Sequence, residues 1–285
     1  MFRNDLFKKL VLCGVVAWLL MFGLAPSLIL VITSFLERGT SELVQLGFTL
    51  DNYLRLTEPE VLAMMFESII LASTATLLCL LAGYPFSYLM ARSPQRLQPF
   101  LLLGVMIPFW TNSLIRTYAL VMILKADGLL NSLLLSLGLI ATPLPIMFTP
   151  IAVFIGLVYT LLPFMILPLY AAFSALDFRL VEAGHDLGAN RLQVLGKIII
   201  PLTRPGIIAG CILVFLPALG MFFVPDILGG AKTLLLGNFI RDQFLVARDI
   251  PMGAATSLTM TLLMGAMLLL YYQAHRRLGH KKLAT

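Results

Sequence analysis

The stretch FRLVEAGHDLGANRLQVLGKIIIPLTRPGI, residues 178–207, is a polar interruption in a chain of 285 residues of which 60% are hydrophobic. Its spacing predicts two short helices. The first begins after Asp177, whose side chain suits an N-cap, and ends at Gly188, because glycine tolerates the left-handed conformation that closes a helix. The second begins at Asn190 and runs up to Pro201. The stretch therefore predicts a polar helical hairpin that leads into an apolar segment.

Each predicted helix of this hairpin carries apolar residues on one face. On the first helix they are Leu180, Val181, Gly184 and Leu187, and on the second they are Leu192, Leu195 and Ile199. Gln193 follows Asn190 at the spacing of a capping box. Glu182 and Asp186 lie four residues apart near the end of the first helix, where like charge and the helix dipole disfavour them. Such a conflict is typical of a functional surface; an ordinary solvated loop is the alternative.

The remainder of the chain has the composition of a membrane protein. Only 12% of its residues are charged, about half the fraction in a soluble domain, and the mean hydropathy is +0.97. A membrane-spanning helix needs about 20 apolar residues, and the apolar segments here are continuous rather than alternating. The predicted spans are 10–35, 68–91, 99–124, 150–176, 200–225 and 252–273. We predict an all-α polytopic membrane protein with six transmembrane helices, whose residues 1–285 form a single transmembrane domain with one polar loop, 177–200.

The first span follows a basic start, MFRNDLFKKL (1–10), as a secretory signal does. Its apolar run continues for about 25 residues, which exceeds the core of a signal peptide. We therefore expect a retained first helix.

The placement of lysine and arginine predicts that both termini are cytoplasmic. With that orientation thirteen basic residues fall in inner segments and six in outer segments, and Arg116 lies inside a span. The inner residues are Arg3, Lys8, Lys9, Arg92, Arg96, Arg179, Arg191, Lys197, Arg204, Arg276, Arg277, Lys281 and Lys282, and the outer residues are Arg38, Arg55, Lys125, Lys232, Arg241 and Arg248. The apolar stretch 128–140 would span only about 20 Å as a helix, so we expect it at the outer surface.

The sequence predicts no catalytic or metal chemistry in this chain. Cys13, Cys79 and Cys211 fall in different spans, without histidines at ligand spacing, and are interpreted as packing residues. The segment GGAKT (229–233) lacks the glycine that precedes the lysine of a phosphate-binding loop. We predict a protein that is not an enzyme, binds no cofactor or metal, and does not hydrolyse ATP by itself.

The stretch PFWTNSLIRTYA (108–119) is a first candidate for a substrate pathway. Its candidate residues are Trp110, Asn112, Arg116 and Tyr118. Asn112 and Arg116 are four residues apart, on one face of the predicted helix. Arg116 lines a pathway or gate in one interpretation and extends its side chain to the membrane interface in the other.

The stretch GMFFVPDILGG (220–230) is a second candidate. Its candidate residues are Phe222, Phe223 and Asp226, at the outer end of the fifth predicted span. A carboxylate beside aromatic faces suits a cationic ligand. The alternative is an ordinary aspartate that ends the helix before the two glycines.

The hairpin resembles the cytoplasmic loop of permease subunits of bacterial ABC importers. The pattern of that family is Glu-Ala-Ala, three residues, Gly, nine residues, Ile-x-Leu-Pro. Glu182 and Ala183 match it, as do Gly188, Ile198 and Pro201; Gly184 replaces the second alanine and Ile200 replaces leucine. The resemblance implies that the loop is a coupling helix seated in a cleft of the ATPase, with Asp186 as a further contact candidate, and that the fold is that of a type I ABC importer permease.

The segments 108–119, 156–170 and 201–223 are similar to the first permease of spermidine/putrescine importers. This resemblance implies a multi-pass subunit in the bacterial inner membrane that moves polyamines by alternating access. It also implies three kinds of partner: a homologous second permease, a dimer of ATPase subunits that binds ATP and Mg, and a periplasmic substrate-binding protein. No nucleic acid is expected.

Three other functions stay open, one of which is a non-transporting anchor for another complex. An ABC permease for another small amine or an oxyanion would share the hairpin. A secondary transporter driven by an ion gradient would be expected to carry ionisable residues at the membrane midplane and repeated halves, and neither is evident in the sequence.

Overall fold

The computed structural model describes residues 2–39, 44–230 and 235–280, and these residues are mainly helical. The helices are α1 (Phe2–Leu19), α2 (Ala25–Ser34), α3 (Asp51–Arg55), α4 (Pro59–Arg92), α5 (Gln98–Trp110), α6 (Ser113–Leu124), α7 (Leu129–Ser136), α8 (Pro150–Ser174), α9 (Arg179–Asp186), α10 (Arg191–Val194), α11 (Ile200–Gly220), α12 (Phe223–Gly229), α13 (Leu236–Leu245) and α14 (Ile250–His280). Two π-helical segments, Leu20–Leu24 and Leu195–Ile199, join α1 to α2 and α10 to α11. A short antiparallel pair of strands, β1 (Leu36–Glu37) and β2 (Gln45–Phe48), is the addition to the predicted all-α architecture.

Contacts between Cα atoms divide the chain into two compact units. One unit comprises residues 1–63 and 239–285, and the other comprises residues 64–238. The expectation of a single transmembrane domain stays a prediction.

In the first unit, α14 packs against α2 and α3. A small core contains Leu56, Val61, Met252 and Ala255, with Tyr53 and Phe239 packed against it. Asp249 precedes α14 and caps it, because its Oδ1 accepts a hydrogen bond from the backbone N–H of Met252 at 3.1 Å. The Oδ2 atom of this buried carboxylate lies 3.1 Å from Nη1 of Arg55 and 3.6 Å from Nη1 of Arg38.

The core of the second unit is the contact between α8 and α11. A stripe of every fourth residue on α8 is buried: Leu157, Leu161, Met165, Leu169 and Phe173. Opposite this stripe α11 presents Gly206 and Gly210. A β-carbon on Gly206 would lie 2.5 Å from Cβ of Ala172, and one on Gly210 would lie 2.6 Å from Sδ of Met165. Small residues four apart allow two helix backbones to approach closely, as they do in membranes.

Six segments of the described residues are long and apolar enough to cross a membrane: Phe7–Ser34, Pro59–Arg92, Ser113–Ser136, Pro150–Ser174, Arg191–Gly220 and Ile250–Leu269. This count confirms the predicted number of transmembrane helices. The helices continue through Pro85, Pro163, Pro168 and Pro205, each of which lies inside α4, α8 or α11.

The third predicted span, 99–124, is wrong as one continuous helix. The chain breaks at Thr111 and Asn112, both of which have extended ψ angles, so that α5 ends at Trp110 and α6 begins at Ser113. The physical reason is an N-cap: the Asn112 side chain accepts a hydrogen bond from the backbone N–H of Leu114 at 2.8 Å. The apolar span by length is Ser113–Ser136, which comprises α6 and α7 with a turn between them, and α5 is a shorter apolar helix.

The fifth predicted span, 200–225, is wrong at both ends. Its helix already begins at Arg191, in the hairpin, and passes through Pro201, because the π-helical segment before this proline accommodates the missing backbone donor. The helix ends at Gly220, and α12 follows as a separate short helix.

Candidate functional site

The predicted hairpin is present as α9, a turn and α10. Oδ1 of Asp177 accepts a hydrogen bond from the backbone N–H of Arg179 at 3.0 Å. The N-cap residue of α9 is nevertheless Phe178, without a side-chain capping hydrogen bond, so the prediction of Asp177 as the N-cap is wrong by one position. Asn190 and Gln193 form both hydrogen bonds of a capping box at the start of α10, at 2.9 and 2.8 Å. The helix–glycine–helix prediction is therefore confirmed.

Gly188 supplies the turn between the two helices. Its φ angle is +79°, in the left-handed region, and its N–H donates a hydrogen bond to the carbonyl oxygen of His185 at 2.9 Å. No heavy atom lies within 4 Å of the place where its β-carbon would be. Glycine is therefore favoured here by the backbone conformation and not by a lack of space.

Fewer apolar residues of the hairpin are buried than the predicted apolar faces contain. Val181 and Gly184 of α9 are buried, and a β-carbon on Gly184 would lie 2.6 Å from Cδ1 of Ile198. Leu187 and Leu192, which were assigned to the apolar faces, are instead 89% and 78% exposed. They lie on either side of the Gly188 turn. The predicted apolar faces are therefore only partly buried within the hairpin.

The outer face of the hairpin carries the acidic residues of the motif. Glu182, Ala183 and Asp186 are all exposed on α9. Together with Leu187 and Leu192 they form a surface of carboxylates and apolar side chains, which we call the hairpin surface. Ile198 and Pro201 do not belong to it: Ile198 packs against Gly184, and Pro201 lies inside the helix that leads to Gly220.

The C-terminal end of α4 contacts Phe178, the residue that directly precedes α9. The guanidinium of Arg92 lies over the rings of Tyr88 and Phe178, at 5.7 and 5.8 Å from their centroids. The two rings are themselves in edge contact, at 6.2 Å. These contacts connect the residue that precedes α9 to the end of a predicted transmembrane helix.

The residues of the first pathway candidate are separated by the break between α5 and α6. Trp110 and Tyr118 are exposed, and Asn112 caps α6 instead of sharing a helix face with Arg116. Arg116 lies in the first turn of α6 and is 7% exposed, so the interpretation that its side chain reaches the membrane interface is wrong. Its guanidinium carbon lies 5.9 Å from the centre of the Tyr159 ring.

The second pathway candidate lies on α12. The rings of Phe222 and Phe223 are in edge contact, with centroids 6.1 Å apart. Asp226 does not end the fifth span; it lies within α12, and its Oδ1 accepts a hydrogen bond from Nδ2 of Asn238 at 2.7 Å. Sequence reasoning did not select Asn238, which is buried and lies twelve residues further along the chain.

One cavity is lined by residues from both pathway candidates. It has a volume of about 350 Å³, and Arg116 and Phe223 both line it. Its other lining residues are Phe109, Thr111, Ser113, Thr160, Leu161, Phe164, Pro217 and Met221. We call it the Arg116 cavity. Trp110, Asn112, Tyr118, Phe222 and Asp226 are not among its lining residues.

Two further predictions concern metal binding and phosphate binding. No group of three or more metal-ligating side chains occurs among residues 2–39, 44–230 and 235–280. Residues 231–233 of the GGAKT segment, which the sequence indicated is not a phosphate-binding loop, lie outside the described residues.

The helical fold and the hairpin are features of the membrane-spanning subunits of importers. The chain belongs to the family described as binding-protein-dependent transport system inner membrane component, whose model matches residues 83–282. Family and apolar helices together define a multi-pass inner membrane protein that serves transport and is not an enzyme.

The chain is similar over nearly its whole length to proteins described as spermidine/putrescine transport system permease protein PotB. It is 54% identical to the protein of Escherichia coli strain K12, over 94% of this chain and 97% of that protein. It is 52% identical to the protein of Salmonella typhimurium strain LT2, over 96% of both chains. The protein of Haemophilus influenzae is 47% identical over 98% of this chain and 97% of its own length.

Two solved structures share the fold. A chain of a bacterial ABC transporter involved in the import of the acidic polysaccharide alginate superposes with a TM-score of 0.72 at 19% identity, over 96% of both chains. A chain of a bacterial alginate ABC transporter, in complex with a periplasmic protein that holds an alginate pentasaccharide, gives a TM-score of 0.77 at 16% identity, over 97% and 96% of the two chains. Similarity at these identities establishes the ABC importer permease fold alone.

Proposed function

We propose that the chain is the permease subunit of an ATP-driven importer that moves polyamines, namely spermidine and putrescine, across the inner membrane. The observation that carries the proposal is the identity of 47–54%, over nearly the whole chain, to permeases described as serving spermidine/putrescine transport. The geometry of the hairpin supports coupling to an ATPase and carries no information on the cargo.

The partners are a homologous second permease, two ATPase subunits and a periplasmic substrate-binding protein. Family membership supports dependence on a binding protein. ATP and Mg bind to the ATPase subunits, and this chain binds no cofactor.

The hairpin surface is suited to receive force from the ATPase. Leu187 and Leu192 are large, exposed apolar side chains that lie close to a tight turn, and such side chains act as anchors when a partner cleft buries them. Glu182 and Asp186 stand exposed on α9, where they can pair with donors of the ATPase. Closure of the ATPase dimer on ATP then moves the hairpin, and the cavity between the two permeases opens outward to receive substrate.

The pathway has to bind a ligand made of positive charges and methylene groups. Aromatic faces and carboxylates hold such a ligand. Trp110, Tyr118 and Phe222 are exposed aromatic side chains of this chain, and Phe223 and Asp226 lie beside Phe222 on α12. The second permease and the binding protein supply the remaining carboxylates.

The test is uptake of labelled spermidine and putrescine into proteoliposomes that contain the complete transporter. We expect uptake to require ATP while the ion gradient is clamped, which separates this function from ion-coupled transport. Glu182→Ala and Gly188→Asp should lower uptake at least about tenfold without loss of the complex, whereas Glu60→Ala, which removes an exposed carboxylate elsewhere, should not. Uptake without ATP would overturn the ABC mechanism; ATP hydrolysis without movement of either polyamine would overturn the cargo alone.

A further inference from the structure

Arg116 is a buried cation without a partner for two of its nitrogen atoms. Its Nε and Nη1 atoms make no hydrogen bond within the described part of the chain. The guanidinium carries its positive charge, because arginine side chains do not lose their proton in proteins. An ionised group that leaves water without a partner is strongly disfavoured, and a cation–π contact with a ring 5.9 Å away compensates only part of that cost.

The cavity next to this guanidinium has the size of a small-molecule site. Its volume of about 350 Å³ falls in the range of ligand pockets. Most of its wall is apolar, with the rings of Phe109, Phe164 and Phe223, while Thr111, Ser113 and Thr160 contribute hydroxyl groups. The wall thus combines one positive charge, a few hydroxyl groups and aromatic surface.

These surroundings define the chemistry of the occupant. A polyamine is cationic and would be repelled by Arg116, so the occupant of this cavity is not the proposed cargo. A strongly hydrated dianion would lose its water against three aromatic rings without sufficient compensation. A carboxylate on a short apolar stem satisfies both requirements, because its oxygens accept from the guanidinium and its stem contacts the rings.

We propose that Arg116 is an anion site that takes a carboxylate group in the assembled transporter. The carboxylate has two sources with the same chemistry: an aspartate or glutamate side chain of another subunit, or a free monocarboxylate. Occupancy neutralises the positive charge of Arg116, which lies inside the third predicted span. This inference rests on the proposed polyamine cargo, whose positive charge excludes the cargo itself as the occupant.

The sign of a stability change tests the proposal. Replacing an unpaired buried charge with an apolar side chain of similar volume is neutral or stabilising, whereas replacing one partner of a pair is destabilising. In the complete transporter, purified in nanodiscs and measured with sodium acetate present so that either source can fill the site, Arg116→Met should therefore lower the Tm by at least about 3 °C. Arg116→Lys should lower it less, because the lysine retains the charge. Arg96→Met, which removes an exposed arginine, serves as the control and should leave the Tm unchanged.

Acetate distinguishes the two sources. A free carboxylate predicts that the Tm of the natural transporter rises with sodium acetate at constant ionic strength, and that Arg116→Met abolishes this rise. A side chain of another subunit predicts no acetate effect and a loss of the second permease from the purified Arg116→Met complex. A Tm for Arg116→Met that equals or exceeds that of Arg116→Lys would overturn the proposal. Failure of both variants to assemble to the same degree would overturn it as well.

Discussion

Ile198 occupies the place that a larger residue at position 184 would need: its Cδ1 atom lies 2.6 Å from the position of a β-carbon on Gly184. This contact joins α9 to the π-helical segment that continues into α11. The absence of a side chain at Gly184 therefore allows the two arms of the hairpin to close upon each other. The family pattern has alanine at this position, so the chain has replaced one small residue with a smaller one.

Gly184→Ala should be mildly destabilising, by about 1 kcal/mol, because the atom that has to move is the end of a flexible side chain. Ile198→Val in the same chain should restore the loss, since valine lacks the Cδ1 atom. Thermal unfolding of the purified transporter measures both effects. Gly184→Leu is the contrast and should abolish ATP-dependent uptake. Equal stability of the alanine and leucine variants would show that the contact has no role.

Gly188→Ala should destabilise the hairpin by roughly 1–2 kcal/mol, because an L-residue is strained in the left-handed conformation. Gly188→Asn should cost less, since asparagine tolerates this conformation better. The matched control is Gly196→Ala, at a helical glycine that also has open space around it, and this change should be neutral or slightly stabilising. Hydrogen exchange of the hairpin amides and uptake rates report the differences. A loss at position 196 as large as that at 188 contradicts the conformational explanation.

Gly206→Ala should separate α8 from α11. The new β-carbon would lie 2.5 Å from Cβ of Ala172 and 2.7 Å from the carbonyl oxygen of Pro168, and backbone cannot yield as a side-chain tip does. We expect a loss of about 1–3 kcal/mol, measured as a fall in Tm of the transporter. Gly104→Ala in α5 is the control, since no atom lies within 4 Å of its β-carbon position and alanine favours helix. The prediction fails if both variants unfold at the same temperature.

Asp249→Ala should cost about 1–2 kcal/mol in the free energy of unfolding. The larger part is the lost cap of α14, worth about 1 kcal/mol, and the pairs with Arg38 and Arg55 add less, because both arginines are partly exposed. Asp249→Asn keeps the capping oxygen and should cost less than about 1 kcal/mol. Unfolding of the purified transporter, followed at low and high salt, separates the terms: the asparagine deficit should shrink at about 1 M salt, where charges are screened. A deficit of the asparagine variant that is independent of salt would show that the ion pairs with Arg38 and Arg55 do not cause it.

The spans and the hairpin could be predicted because their signals are local. Apolar runs of sufficient length appear in any window of the sequence, and the hairpin combines a left-handed glycine with the capping pair Asn190 and Gln193. The break at 111–112 could not be predicted in the same way. The identity of Asn112 suits both a helix face and an N-cap, and only the backbone decides between the two. Thr111 and Asn112 together, after Pro108, were the available signal.

The surroundings of Arg116 could not be read from the sequence, because they depend on which faces of apolar helices meet. Thr160, Phe164 and Pro217 come from α8 and α11, about 50 to 100 residues away along the chain. Helices that are apolar all round give no periodic signal to show the orientation of each face. The exposure of Leu187 and Leu192 could not be read from the sequence either, since both are large apolar residues of the kind found in cores.

The π-helical segment Leu195–Ile199 has a mechanical consequence. It lets α10 and α11 form one uninterrupted helix from Arg191 to Gly220, 30 residues or about 45 Å long. The π-helical segment, Pro205 and Pro217 lie along this helix, and prolines and π-helical turns are the positions at which a long helix bends. The far end contains Pro217, a wall of the Arg116 cavity. The hairpin and one side of the Arg116 cavity therefore belong to one continuous helix.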